Sequence, residues 1–115
     1  MNQKNEILEV AIEFSLMIFD YTELLESQSK FVIANQLLKS GTSIGANVHE
    51  AQSAESKMDF VHKLKIADKE AKETQYWLYL CEKAPSYPFD DALKEKLLSI
   101  KKLLSKITST TKRNM

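Results

Sequence analysis

Ser40-Gly41-Thr42-Ser43-Ile44-Gly45-Ala46-Asn47 is the stretch on which the fold turns. Two glycines four residues apart ordinarily mark a loop, since each costs a helix interior about 1 kcal/mol relative to alanine. The apolar positions nevertheless keep a helical period straight through them. Ala34, Leu37, Gly41, Ile44, Val48 and Ala51 recur at alternating steps of three and four, a beat that a loop has no reason to hold. The segment therefore reads as helix. With no side chain at Gly41 or Gly45, a neighbouring helix can approach closely at two successive turns.

A second stripe follows after a short polar break. Phe60, Leu64, Ala67, Ala71, Thr74, Leu78 and Cys81 repeat the same spacing, which is the seam of a helix packed at a shallow angle on its partners. The two stripes predict an antiparallel helical hairpin. Beside the first runs a small polar row, Ser40, Ser43, Asn47 and Glu50, and Glu70 and Glu73 share a face of the following helix. Hydroxyls and amides beside a close contact can bond facing carboxylates, so Asn47 is expected to be buried and hydrogen-bonded. An unsatisfied buried group would otherwise cost about 1–3 kcal/mol.

Further out, Ile7, Val10, Ala11, Phe14, Ile18, Tyr21 and Leu25 predict a first helix over about 4–26. Ser27-Gln28-Ser29 is a polar connection, with Ser29 placed to cap a helix over about 30–51. Gln52-Ser53-Ala54-Glu55-Ser56 makes the next turn. Ser56 is the N-cap of a helix over 57–83, and Asp59 stands three residues on in a weakened capping box. Ala84-Pro85-Ser86-Tyr87-Pro88-Phe89 cannot continue a helix. Asp90 then caps a last one over about 90–109, striped by Leu93, Leu97, Ile100, Leu104 and Ile107, and the tail from Ser109 is expected to fray. Residues 1–115 thus read as one all-α domain, an up-down-up-down, left-handed four-helix bundle.

Two regions hold more apolar surface than one stripe per helix needs. Phe14, Leu16, Met17 and Phe19 make the first helix greasy on nearly every side, and Tyr76, Trp77 and Tyr79 lie at the end of the third. These seven residues are the expected contact surfaces of a homo-oligomer. The aromatic rings could instead stack on bases, although rings at helical spacing more often complete a core or a subunit contact.

The segments Ser40 to Ala51 and Lys63-Leu64-Lys65-Ile66-Ala67-Asp68-Lys69-Glu70-Ala71-Lys72-Glu73-Thr74-Gln75-Tyr76-Trp77-Leu78 closely resemble the bacterial four-helix-bundle family of 23S rRNA intervening-sequence proteins. The resemblance covers essentially the whole chain. It implies a small cytoplasmic bundle assembled as a homopentameric ring, with no assigned molecular role. A more distant resemblance is to the accessory variability determinant protein of diversity-generating retroelements, a basic pentamer that binds nucleic acid and a reverse transcriptase. This chain departs from that pattern in having no net charge.

The charge is nonetheless uneven. Residues 1–29 hold six acids against Lys4, while residues 85–115 hold seven bases against Asp90, Asp91 and Glu95. The basic last helix supports an alternative reading in which Lys101, Lys102, Lys106, Lys112 and Arg113 meet the phosphates of RNA or DNA. Internal pairing or a solvated lysine-rich face accounts for the same residues more simply. Catalysis finds no support: Ser43, His49 and Glu50 are separated by about two helical turns, and no oxyanion site accompanies them. Asp59 and His62 form a single carboxylate-x-x-His pair where a di-iron bundle needs two, so neither metal nor cofactor is expected. With 43% hydrophobic residues, no run of about 18 apolar ones to span a membrane, Glu6 and Glu9 where a secretory signal would be basic then apolar, and the lone Cys81 reading as a small buried hydrophobe, the expected compartment is the cytoplasm. The expectation is a non-enzymatic assembly module.

Overall fold

The computed structural model describes residues 3–115, with side chains from residue 6, so the side chain of Lys4 lies outside the described residues. Four helices follow one another: α1 (Gln3–Ser27), α2 (Phe31–Ala51), α3 (Lys57–Lys83) and α4 (Asp91–Arg113), with no strand among the described residues. Each packs on its neighbours in sequence, and α4 closes back on α1. The backbones of the diagonal pairs stay apart, so the helices stand at the corners of a square in chain order. Gly41 lies against Ile18 and Gly45 against Ala11, Ser40 meets Thr74, and Lys94 meets Glu82. Within each pair rising numbers on one helix meet falling numbers on the next, so successive helices run antiparallel.

The glycine segment is continuous helix. Neither glycine has a positive φ, so what they contribute is space. A Cβ on Gly41 would lie 2.9 Å from Ile18 Cγ1 and 3.2 Å from its Cγ2. One on Gly45 would lie 3.3 Å from Ser15 Oγ. The helix admitted by the gap is α1. The opposite flank of α2, carrying Ser40, faces α3.

Every residue of the α2, α3 and α4 stripes is buried. In α1 the core face is Ile7, Ala11, Phe14, Ile18, Tyr21 and Leu25, with Val10 only half-buried at its margin. Thr22 joins the interior although it is polar. Its hydroxyl reaches the Ile18 carbonyl at 2.8 Å, and that local bond lets threonine replace an aliphatic residue beside α2.

The ends follow capping chemistry, with two corrections. Ser56 Oγ accepts from the Asp59 N–H at 3.0 Å, and Asp90 Oδ1 accepts from the Ala92 N–H at 2.9 Å. Asp59 returns its bond to the Glu55 N–H, one residue earlier than a capping box requires. Ser29, in contrast, does not cap α2: no side chain does so, and the N-cap position is Lys30. Ser29 sits at φ 62° and terminates α1. The Lys30 N–H bonds the Leu25 carbonyl and the Ser29 N–H bonds the Glu26 carbonyl, the paired bonds of a Schellman motif with serine in the position that glycine prefers. Ser29→Gly should relieve about 1–2 kcal/mol of left-handed strain. Glycine's greater unfolded-state freedom takes back about 0.5–1 kcal/mol. The net gain of up to about 1.5 kcal/mol should leave the melting temperature unchanged or raise it by up to about 6 °C in a thermal scan, and a lower one would contradict this account.

The second correction concerns α4, which runs to Arg113 instead of fraying from Ser109. Thr111 bonds the Ile107 carbonyl, and Lys57 Nζ donates to the Asn114 carbonyl at 2.9 Å. Lys112 and Arg113 in the last turn suit the negative end of the helix dipole.

Candidate assembly interface

The polar row beside the glycines turns inward on its own helix. Ser43 donates to the Lys39 carbonyl at 2.6 Å, and Asn47 to the Ser43 carbonyl at 2.8 Å, while Asn47 is half-buried instead of enclosed. The expected bonds to Glu70 and Glu73 do not form. Glu73 is exposed, where its carboxylate avoids desolvation and accepts from Trp77 Nε1 at 3.2 Å. The buried cross-helix bond is that of Ser40 with Thr74, at 2.9 Å. Thr74 Oγ1 also lies 2.8 Å from the Glu70 carbonyl. Since threonine has one proton for two partners, Ser40 supplies the second. Glu50 instead pairs with Lys63 across α2 and α3, at 3.6 Å.

At the opposite end from the α2–α3 turn, the loop between α3 and α4 is fastened to α1. Tyr21 donates to the Pro88 carbonyl at 2.6 Å and meets the Phe89 ring edge-on. Lys30 Nζ stands 4.8 Å above the Tyr87 ring. Burial, with the Cys81 thiol beside it, holds the Tyr21 hydroxyl in its protonated form far above the ordinary tyrosine range. Burial likewise pushes the Cys81 thiol up. Unfolded tyrosine ionises near pH 10, so the Tyr21 contribution is complete below that pH and declines above it. Tyr21→Phe should cost about 1 kcal/mol at neutral pH. Urea melts repeated above pH 10 should show that difference shrinking, and a difference that grows with pH would contradict the assignment.

The seven candidate contact residues divide between core and surface. Phe14 is wholly buried in the core and is unavailable as a contact. Met17 and Trp77 are half-buried against the core. Leu16, Phe19, Tyr76 and Tyr79 are exposed, at 55, 46, 56 and 55%. Phe14 belongs to the α1 core stripe, and position in that stripe already distinguished it from Leu16. Several exposed apolar residues escaped the sequence reading: Ile12, Phe31, Val32, Leu38 and Leu98. The α1 members Ile12, Leu16 and Phe19 follow the steps of four and three, which was the available signal.

These residues form two faces on opposite sides of the square. One is a ridge along α1 bordering α2, with Ile12, Leu16 and Phe19 exposed. Phe31 and Leu38 of α2 border a shallow depression with Thr22 at its α1 edge. The other is a groove of about 600 Å³ between α3 and α4, with Leu78 and Leu97 beneath Tyr79, Phe89 and Leu98. It exists because α3 and α4 are packed less closely than the glycine-spaced α1 and α2.

The bases of α4 do not act as one patch. Lys101 donates to Gln75 Oε1 at 2.6 Å across the groove, and Arg113 to Thr110 Oγ1. Lys102, Lys106 and Lys112 are exposed. Among the described residues, a single ion pair joins the acidic first helix to the basic last one, Lys96 to Glu13 at 3.0 Å. No group of three His, Cys, Asp or Glu side chains that could hold a metal occurs among the described residues. His49 and His62 are exposed, and Cys81 is a buried free thiol. No helix among them is long and apolar enough to cross a membrane.

Comparison with known proteins agrees with this architecture. No curated protein matches. A solved structure, that of a protein of unknown function from the S23 ribosomal protein family of Bacteroides thetaiotaomicron, is 39% identical with a TM-score of 0.87, covering 94% of this chain and 99% of that one. The model of the 23S rRNA-intervening sequence proteins matches residues 3–108. The chain belongs to the 23S rRNA-intervening sequence protein family.

Proposed function

We propose that this chain is a non-enzymatic assembly module of the cytoplasm: a left-handed bundle that associates with copies of itself into a ring, a pentamer by resemblance to its family. The observation that carries this reading is the pair of exposed apolar faces on opposite sides of one small bundle. Large apolar patches on a soluble chain mark contact sites, and two distinct ones let each copy bind two neighbours. The Leu16–Phe19 region and the Tyr76–Tyr79 region supply the contact surfaces. The reading calls on no catalytic group, cofactor or metal. Multi-angle light scattering tests the reading. Micromolar protein should elute at a multiple of 13.2 kDa, and a clean monomer would overturn it.

A second reading rests on the exposed bases of α4. Lys102, Lys106 and Lys112, with Lys101 and Arg113 beside them, would contact nucleic-acid phosphates, and a ring would multiply that weak affinity through avidity. Gel-shift titration against salt tests it: binding should weaken steeply as salt rises, and no binding at low salt would remove it.

A further inference from the structure

We propose that the groove between α3 and α4 receives the Ile12–Leu16–Phe19 ridge of α1 from a second copy of this chain, so that the molecules join head to tail. The inference rests on the assembly reading above and says which surface meets which.

Three observations converge on it. The first is placement. Close backbone approaches run only around the square, so the side bounded by α1 and α2 is opposite the side bounded by α3 and α4. A surface on one side can meet its complement only on another molecule, and the resulting contact joins unlike patches.

The second is shape. Gly41 and Gly45 draw α1 onto α2, leaving Ile12, Leu16 and Phe19 proud of a tight pair. The looser α3–α4 pair leaves a trough with an apolar floor, bordered by Tyr79 and Leu98, which are 55 and 51% exposed. A single helix edge of about one side chain's height is what such a trough accommodates, as in helix-in-groove recognition.

The third is charge. The ridge is flanked by Glu9, Asp20 and Glu23, exposed acids that form no ion pair among the described residues. The groove is edged by Lys83, Lys94 and Lys101, and α4 continues with exposed Lys102 and Lys106. The groove's own acids, Glu82, Asp91 and Glu95, balance those three lysines, with Lys94 on Glu82 at 3.0 Å. The basic surplus on this side is therefore Lys102 and Lys106, farther along α4. Free acids along the ridge and that pair of surplus lysines set the register of the docked helix. This narrows the contact on α3 to its Tyr79 flank, because Tyr76 does not line the groove.

Head-to-tail contacts permit a complementation test. Leu16→Glu disables the ridge and Leu98→Glu disables the groove. Both positions are about half exposed, so neither change buries a charge, and circular dichroism confirms that each variant is folded. Light scattering should find wild type assembled, each variant monomeric, and their equimolar mixture a heterodimer, because one intact ridge and one intact groove remain. Tyr76→Glu should assemble like wild type. If wild type assembles while Leu98→Glu also assembles, or while the mixture stays monomeric, the groove is not the receiving surface. A monomeric wild type would instead sink the assembly reading itself, and the two failures are told apart by that first measurement.

Discussion

Gly41→Leu is expected to cost at least about 3 kcal/mol, the upper range for overpacking a core, and to leave the chain largely unfolded in mild urea. The first carbon of any side chain there already meets Ile18 Cγ1 at 2.9 Å. That atom is one of the two γ carbons held on the stiff β-branched Cβ of a fully buried residue, not a flexible tip. Three further carbons have nowhere to go unless α1 lifts from α2. The graded series is the sharper test. Gly41→Ala gains about 1 kcal/mol of helix propensity but incurs overpacking of about 1–3 kcal/mol, for a net loss of up to about 2 kcal/mol. Gly45→Ala makes the same propensity gain. Its Cβ would lie 3.3 Å from Ser15 Oγ and in ordinary contact with Ala11 at 3.5 and 3.7 Å. A shift of a few tenths of an ångström by the Ser15 side chain, which keeps its bond to the Ala11 carbonyl, relieves this, so the change should be neutral or stabilising. Urea denaturation of the two alanine variants decides the matter. A Gly41→Ala chain more stable than its Gly45→Ala counterpart would show that the close approach is not where the structure places it.

Phe14→Ala is expected to remove about 3–5 kcal/mol, the range for emptying a buried aromatic site. Phe14 is inaccessible to solvent and lies among core residues drawn from all four helices, so its loss leaves a cavity that no single neighbour can fill. Leu16→Ala, two residues away but 55% exposed, should change stability by less than about 0.5 kcal/mol, as surface substitutions do. The pair separates two roles that the composition of α1 blurs. A chain whose stability falls equally for both changes would contradict the division between core and ridge.

The stripes of α2, α3 and α4 were legible in the sequence because periodicity reports burial directly, and Ser56 and Asp90 were legible because a cap is a local event. Ser29 was not. Serine serves equally as an N-cap or as an occupant of a left-handed position, and only the bonds made by Lys30 and Ser29 to the end of α1 distinguish them. The extent of α4 was underestimated because Lys57, which holds the Asn114 carbonyl, is distant in sequence. The polar row was misjudged for a geometrical reason. A wheel shows which residues share a face, but not that Glu73 stands exposed at the margin of its own, where it accepts from Trp77 on the same helix. For the candidate interface, apolar excess in α1 and α3 was visible, whereas the groove was not, since it arises from a difference in spacing between two helix pairs.

That difference also bears on how the bundle opens. α2 is closely packed on both sides, while α4 is joined less densely to both its neighbours. Regions with fewer contacts open at lower free energy than the whole. α4 is therefore the stave that loosens first. Its amide protons should exchange through a partial opening in which the other three helices keep theirs, and anything lodged against it would slow that exchange before altering any other part of the molecule.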